Sequence, residues 1–230
     1  RQLAHFGGPF SFLKGNIMAY YFPEGSVQAF SNTFAGAKTI TVLSNANPAV
    51  ATSVAHGYST NDEILLTSGW EDATDTVWKI TVLTADTFSI QGLDASNTSF
   101  YPVGTGIGSA QKISAWTSLP QVLTISSSGG DAKFTDVAPL AKRNAIKIPT
   151  GFNATSITLS LAHDPAQAGY ITALGISRNL SKVAFKQTIS GGAVTYGYGY
   201  MSVSEMPKLN NGSVNTVDAA MTILGRSISY

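Results

Sequence analysis

The run Ser156-Ile157-Thr158-Leu159-Ser160-Leu161-Ala162 decides the fold, because Ile157, Leu159 and Leu161 alternate with Ser156, Thr158, Ser160 and Ala162. A period of two with one apolar face is the pattern of a half-buried β-strand. The same pattern recurs twice downstream. In Val194–Glu205 the even positions Val194, Tyr196, Tyr198 and Tyr200 share a face, with Gly197 and Gly199 on the other. In Val217–Ile223 the odd positions Val217, Ala219, Met221 and Ile223 repeat it. The opposite faces hold Ser, Thr, Gly and Ala rather than Lys and Glu, which points to a surface that meets another surface. The chain reads as a part of an assembly.

Working outward, only 12% of the 230 residues are charged, while 43% are apolar. Ordinary soluble domains carry about 25% charge. A formal net charge of +1 offers no global attraction to nucleic acid or an anionic membrane. The absence of cysteine excludes disulfides, thiolate metal sites and cysteine nucleophiles. No apolar run approaches the ~20 residues of a membrane-spanning helix, and Arg1–Ile17 lacks the pattern of a signal peptide. Residues 1–17 read as an N-terminal arm or upstream extension, with Met18 as an alternative start before Ala19-Tyr20-Tyr21-Phe22.

The charge is divided along the chain. Residues 38–114 hold three bases against seven acids, and residues 115–230 hold nine bases against five acids. These shifts predict boundaries near 38 and 114. The middle segment carries short strand patterns at Thr39–Leu43, Ala49–Val54, Glu63–Thr67, Val77–Leu83, Thr87–Gln91 and Ile107–Ile113, separated by turn clusters. That spacing predicts a small β-barrel over 39–114, inserted into a host domain formed by 18–38 and 115–230. In the host, strands are expected near Val122–Ser126, Ala145–Ile148, Ala154–Ala162, Lys182–Ile189, Ala193–Ser204 and Ser213–Leu224. Asp164-Pro165 reads as a helix N-cap followed by proline at the first helical position, with an apolar stripe of Ala168, Ile171 and Leu174 beside Ala173, and an exit near Gly175 or Asn179. Ser126-Ser127-Ser128-Gly129-Gly130-Asp131 reads as a surface excursion. The predicted class is mainly β: a sandwich or curled sheet with one flanking helix, plus the inserted small barrel.

No constellation of catalytic residues stands out. His5, His56 and His163 share no metal-ligand spacing, so His56 and His163 read as structural. No Gly-x-Ser-x-Gly elbow occurs, and Gly104-Thr105-Gly106-Ile107-Gly108 leads into a strand rather than a phosphate-binding helix. Glu71, Asp72 and Asp75 read as a solvated hairpin tip. Tyr196, Tyr198 and Tyr200 read as core or a subunit interface, the alternative being a stacking platform for a sugar or base. Lys142, Arg143 and Lys147 form the densest basic patch and read as a solvated or intersubunit face.

The order of several stretches resembles the major tail tube proteins of long-tailed, non-contractile bacteriophages. They are Trp116–Val122, Ser126–Val137, Ala145–Gly151, Ser160–Arg178 and Tyr196–Tyr230 with its Ser204-Glu205-Met206-Pro207 turn. The middle block, with Ala46-Asn47-Pro48, His56-Gly57, Ser68-Gly69-Trp70 and Gly92-Leu93-Asp94, is similar to the small β-barrel inserted into some of these proteins. The resemblance implies a tail-tube-type β-sandwich whose copies form hexameric rings stacked into a tube, the conduit for DNA ejection. It implies no cofactor, no catalysis and no membrane. The partners it implies are further copies of the chain and the tape measure, terminator and baseplate proteins, with genomic DNA passing through the lumen unbound. The implied location is the virion tail, after synthesis in the bacterial host cytoplasm. On this reading Ser128, Gly129, Gly130, Asp131, Phe134, Lys142, Arg143 and Lys147 are expected at ring-stacking contacts, and Tyr196, Tyr198 and Tyr200 at contacts within a ring. Lys142, Arg143, Lys147, Lys182 and Lys186 are expected to face interfaces or the acidic segment rather than the channel. The alternatives are a carbohydrate-binding or adhesive module, a tail-terminator or baseplate hub, and an enzyme with dispersed carboxylates.

Overall fold

The computed structural model describes residues 23–141, 143–209 and 211–230. The predicted N-terminal arm and the strand start at Ala19 lie outside them. Alternation translates into strands wherever the sequence carried it. After β1 (Val27–Ser31), the middle of the chain forms β2 (Lys38–Ile40), β3 (Val42–Leu43), β4 (Val50–Thr52), β5 (Glu63–Ser68), β6 (Thr76–Val82), β7 (Thr87–Ile90) and β8 (Gly108–Lys112). These seven pair in the order β2-β8-β5-β6-β7-β4-β3. The first and last strands of that order are consecutive halves of one segment, bent at Thr41, so the sheet curls back on itself and is nearly closed. The single strand expected at Thr39–Leu43 is therefore two. Inside lie Ile40, Ile64, Leu66, Trp70, Trp78, Ile80, Phe88 and Ile90, each fully buried side chain contributing roughly 1.5–3 kcal/mol.

The remaining strands are β9 (Thr117–Ser118), β10 (Val122–Ser128), β11 (Ala132–Val137), β12 (Ile146–Phe152), β13 (Ser156–Ala162), β14 (Lys182–Thr188), β15 (Val194–Val203), β16 (Thr216–Ile223) and β17 (Ile228–Ser229), with helix α1 (Ala168–Asn179) between β13 and β14. The large sheet runs β10-β13-β16-β15-β14-β1-β9, with β17 paired to β15. One face carries Leu159, Leu161, Val183, Phe185, Met201, Val203, Val217, Ala219, Met221 and Ile223, covered by α1. On the other face, Ala184, Tyr196 and Tyr198 pack on Leu65 and Val77 of the small sheet. Gly199 permits the close pairing of β15 with β16, because a Cβ there would overlap the Thr222 carbonyl oxygen. The protein is mainly β, as its alternation predicted.

Three local expectations are corrected. The helix N-cap is Gln167, not Asp164. Asp164 instead accepts a hydrogen bond from the Ala166 N–H at 3.0 Å, capping the turn that precedes the helix. The buried stripe of α1 is Gly169, Tyr170, Ala173 and Ile176, while Ile171 is exposed, since the larger Tyr170 side chain takes the position over the sheet. The exit, expected near Gly175 or Asn179, falls at Asn179, the last helical residue, followed by Leu180 in a left-handed conformation, φ 49°. Finally, Ser126–Ser128 belong to β10, and the excursion beyond them is the two-stranded β11–β12 ribbon. Ala132–Val137 has no clean apolar alternation; pairing with β12 makes it a strand.

Candidate assembly surfaces

Among the described residues three parts of the surface have no cover: a ribbon, the outer edge of β10 and a sheet face. The ribbon begins where Gly129 and Gly130 take positive φ values of 87° and 78°. Only glycine fits at 129, because a Cβ would overlap the Ala154 carbonyl oxygen. Ser128 is the last residue of β10, opposite Ser156, and the Asp131 carbonyl accepts from the Asn153 N–H at 2.9 Å. Beyond that point every residue of β11 and β12 is exposed. The register places Val137 opposite Ile146 and Thr135 opposite Ile148 on one face; Asp136 opposite Lys147 and Phe134 opposite Pro149 lie on the other. One face is thus apolar, and the other carries the loose Lys147–Asp136 pair at 3.9 Å. A two-stranded ribbon is marginal in water on its own. Arg143 is exposed at the ribbon tip, and Lys142 lies outside the described residues.

The uncovered face belongs to β10, β13, β16 and the end of β15. Cross-strand register aligns Ser128, Ser156, Thr222 and Tyr200 in one row, and Ser126, Thr158, Ala220 and Ser202 in the next. A third row has Thr124, Ser160 and Asp218. On β10, β13 and β16 Asp218 is the one charged side chain of these rows, and Lys208 pairs with it at 2.5 Å; the first row runs on from Tyr200 to the exposed Lys182 of β14. On β13 and β16 this face is the small-residue side of the alternation noted in the sequence, Asp218 apart; on β15 it is the tyrosine side. The small sheet covers only the β14–β15 part of the large one.

The tyrosine stripe is divided. Tyr196 and Tyr198 are 1% and 7% exposed, closed within the chain against the small sheet, whereas Tyr200 is 42% exposed. Two rings held in that seam present no stacking platform to a sugar; a contact between copies would fall to Tyr200. The seam turns on Glu63, which sequence reasoning did not single out. Its Oε1 accepts from Lys186 Nζ at 2.6 Å and from the Tyr196 hydroxyl at 2.5 Å, and its Oε2 from Trp116 Nε1 at 2.5 Å. The Lys186 ammonium also lies 5.3 Å from the Trp116 ring centroid. Lys186 therefore faces the acidic segment. Lys182 sits over the Tyr198 and Tyr200 rings at 5.8 and 5.9 Å.

Burial, reinforced by the hydrogen bond and charge of Glu63, holds Tyr196 above the ordinary phenol value. Burial and then the charge of Asp62 push Tyr58 from 10.0 up to about 12, and burial raises Tyr198 and Tyr230. Each phenol holds its proton more tightly folded than unfolded. Their contribution to stability is complete below pH 10 and is lost as pH rises above it, in the case of Tyr58 through about 12. Urea unfolding at stepped alkaline pH should show stability falling steeply above pH 10, with late phenolate absorbance. A flat profile through that window contradicts these burial assignments.

The other sequence candidates are structural. His56 is buried, with Nδ1 accepting from the Tyr58 N–H at 3.0 Å, so its Nε2–H donates to the Thr84 carbonyl at 3.2 Å. His163 meets Tyr170 edge-on. Gly106 lies against the Trp70 ring, where a Cβ would come within 2.7 Å. Asp72 reaches Arg226 at 4.0 Å. Among the described residues no group of three or more His, Asp or Glu side chains could hold a metal ion, and no helix is long and apolar enough to cross a membrane.

An apolar ribbon, a sheet edge with no partner among the described residues and a neutral face are the features of a β-protein of the structural class, built to meet other surfaces. Comparison with protein families narrows the class. The family model of the phage tail tube protein, TTP, matches residues 68–230, and the chain belongs to that family. It is a structural tail tube protein. No curated protein matches the chain.

Proposed function

We propose that copies of this chain close into rings, hexameric by resemblance, that stack into the tube through which phage DNA leaves the virion. The single observation that carries this reading is the open face of hydroxyl and small side chains on β10, β13 and β16, with its lone Asp218 neutralised by Lys208. Fixed Lys and Arg on a channel wall would grip phosphates in a salt-dependent way. A neutral hydroxyl wall stays wetted and offers DNA nothing to hold. That face is the lumen wall. The host domain is formed by 18–38 and 115–230, and the insert over 39–114 faces outward from the channel. Ser128, Gly129, Gly130, Asp131, Phe134, Lys142, Arg143 and Lys147 serve contacts between rings, and Tyr200 a contact within the ring. The subunit acts through assembly rather than catalysis, needs no cofactor, and works in the virion beside tape measure, terminator and baseplate proteins.

Negative-stain electron microscopy across a concentration series of the purified protein tests this. Hollow rings or tubes of uniform width are expected to appear as concentration rises. A chain that stays monomeric at high concentration, or forms solid fibres without a lumen, overturns the reading.

A further inference from the structure

The large sheet curls around its α1-side core without closing. Between the edge strand β10 and the β1–β9 end of the sheet lies a groove of about 730 Å³. Val27, Val122, Leu123, Ile125 and Ile189 line it, and no charged side chain does. At its floor Gln28 is 4% exposed, and its Oε1 has no hydrogen-bond partner among the described residues. A buried acceptor left unmatched costs about 1–3 kcal/mol. Among the described residues the outer edge of β10 is likewise unpaired, as the terminal strand of its sheet. Groove, orphan acceptor and free edge together ask for an incoming β-strand with one uncharged apolar face.

The same chain carries such an element in the wrong place to use it. β10 contributes its first residues, Val122–Ile125, to the groove, and the ribbon springs from its last, Ser128. Donor and acceptor stand at opposite ends of one strand. A ribbon strand of six residues spans about 20 Å, enough to run along β10. The contact that satisfies both is head-to-tail between copies, and a heterologous contact repeats into a ring or a helix.

We infer that the β11–β12 ribbon of one copy lies in the groove between β1 and β10 of the next, with its Val137, Ile146 and Ile148 face on Val27, Leu123 and Ile125 and a ribbon donor on Gln28 Oε1. This rests on the tube reading and names the partner surface within it. Strand addition supplies backbone hydrogen bonds, and the matched apolar faces set the register.

The chain has no cysteine, so engineered pairs report directly. Tubes assembled from the double variant Ile148→Cys, Leu123→Cys and then oxidised should give a ladder of covalent multimers, while each single variant stays at monomer size. Tubes that form without a ladder overturn the proposal and leave the tube reading standing. A wild-type chain that never assembles defeats both. Disulfides in the Ile148→Cys single variant place ribbon against ribbon and overturn the proposal. So does an intrachain disulfide between Leu123→Cys and Phe10→Cys, which gives the groove to the chain's own N-terminal segment. A second measurement does not depend on disulfide geometry. A ribbon-blocked chain (Val137→Asp, Ile148→Asp) and a groove-blocked chain (Val27→Asp, Leu123→Asp) should each remain monomeric alone and pair one-to-one when mixed. Failure to pair, with both chains folded, counts against the proposal.

Discussion

Replacing Glu63 by alanine should lower the melting temperature by about 10 °C. The carboxylate collects three donors from the large-sheet side of the seam: Lys186, Tyr196 and Trp116. Both charged partners are largely shielded, with 15% of the Glu63 side chain and 25% of Lys186 exposed. Removing one partner of such a pair leaves the other charge uncompensated, which costs about 3–5 kcal/mol. For a chain of this size each kcal/mol moves the midpoint by about 2–4 °C. The two apolar cores should survive the change, because neither includes Glu63, so the seam is the part that loosens. Thermal melts of Glu63→Ala and of Glu63→Gln check this. Glutamine keeps an acceptor for Trp116 and Tyr196 and should recover part of the loss. A midpoint within about 2 °C of the parent chain for Glu63→Ala would mean the seam is held by its rings alone, since ~1 kcal/mol is then the whole effect.

Introducing a cation on the open face should slow DNA passage without harming the tube. Thr158 is exposed at the middle row, between Ser126 and Ala220, so Thr158→Lys should change folding stability by no more than about 0.5 kcal/mol. On the proposed ring reading every copy contributes one lysine, and stacked rings repeat them along the channel. Each phosphate neutralised steepens the salt dependence of binding by about one power of ionic strength. DNA delivery by phage carrying this variant should fall by at least roughly tenfold at low salt and recover as salt is raised. Thr98→Lys, on the exposed loop of the small sheet, is the control and should leave delivery unchanged. Normal delivery by Thr158→Lys tubes of normal width would remove this face from the lumen.

Strand existence was legible where one face had to be buried. Ile157, Leu159 and Leu161 mark β13, and Val217 through Ile223 mark β16, because the apolar side of a strand must alternate whatever lies opposite. The ribbon was harder: Ala132–Val137 alternates poorly, and only the register with β12 makes a strand of it. Short strands such as β9 and β17 are defined by their partners and carry too few residues for a period. The helix stripe was misplaced because Ile171 and Tyr170 are both apolar enough to bury, and the shape of the sheet beneath chose Tyr170. Of the site, the Ser128–Asp131 segment and Lys147 were marked by composition, and the structure gathers them on the ribbon and its base. Gln28 and Glu63 were invisible, since a single polar residue in a strand has no pattern of its own.

Periodicity, the scarcity of charge and the absence of cysteine determined, from sequence by themselves, that this is a β-rich chain made to meet other surfaces. Alternation is a local property, imposed residue by residue by the pleat of a strand. Which neutral face stays open, which tyrosines are closed inside the seam, and where an unmatched acceptor lies beside a free edge were decided by the tertiary structure. Those are relations between strands far apart in the chain, and burial and hydrogen-bond satisfaction exist only once the sheets have met.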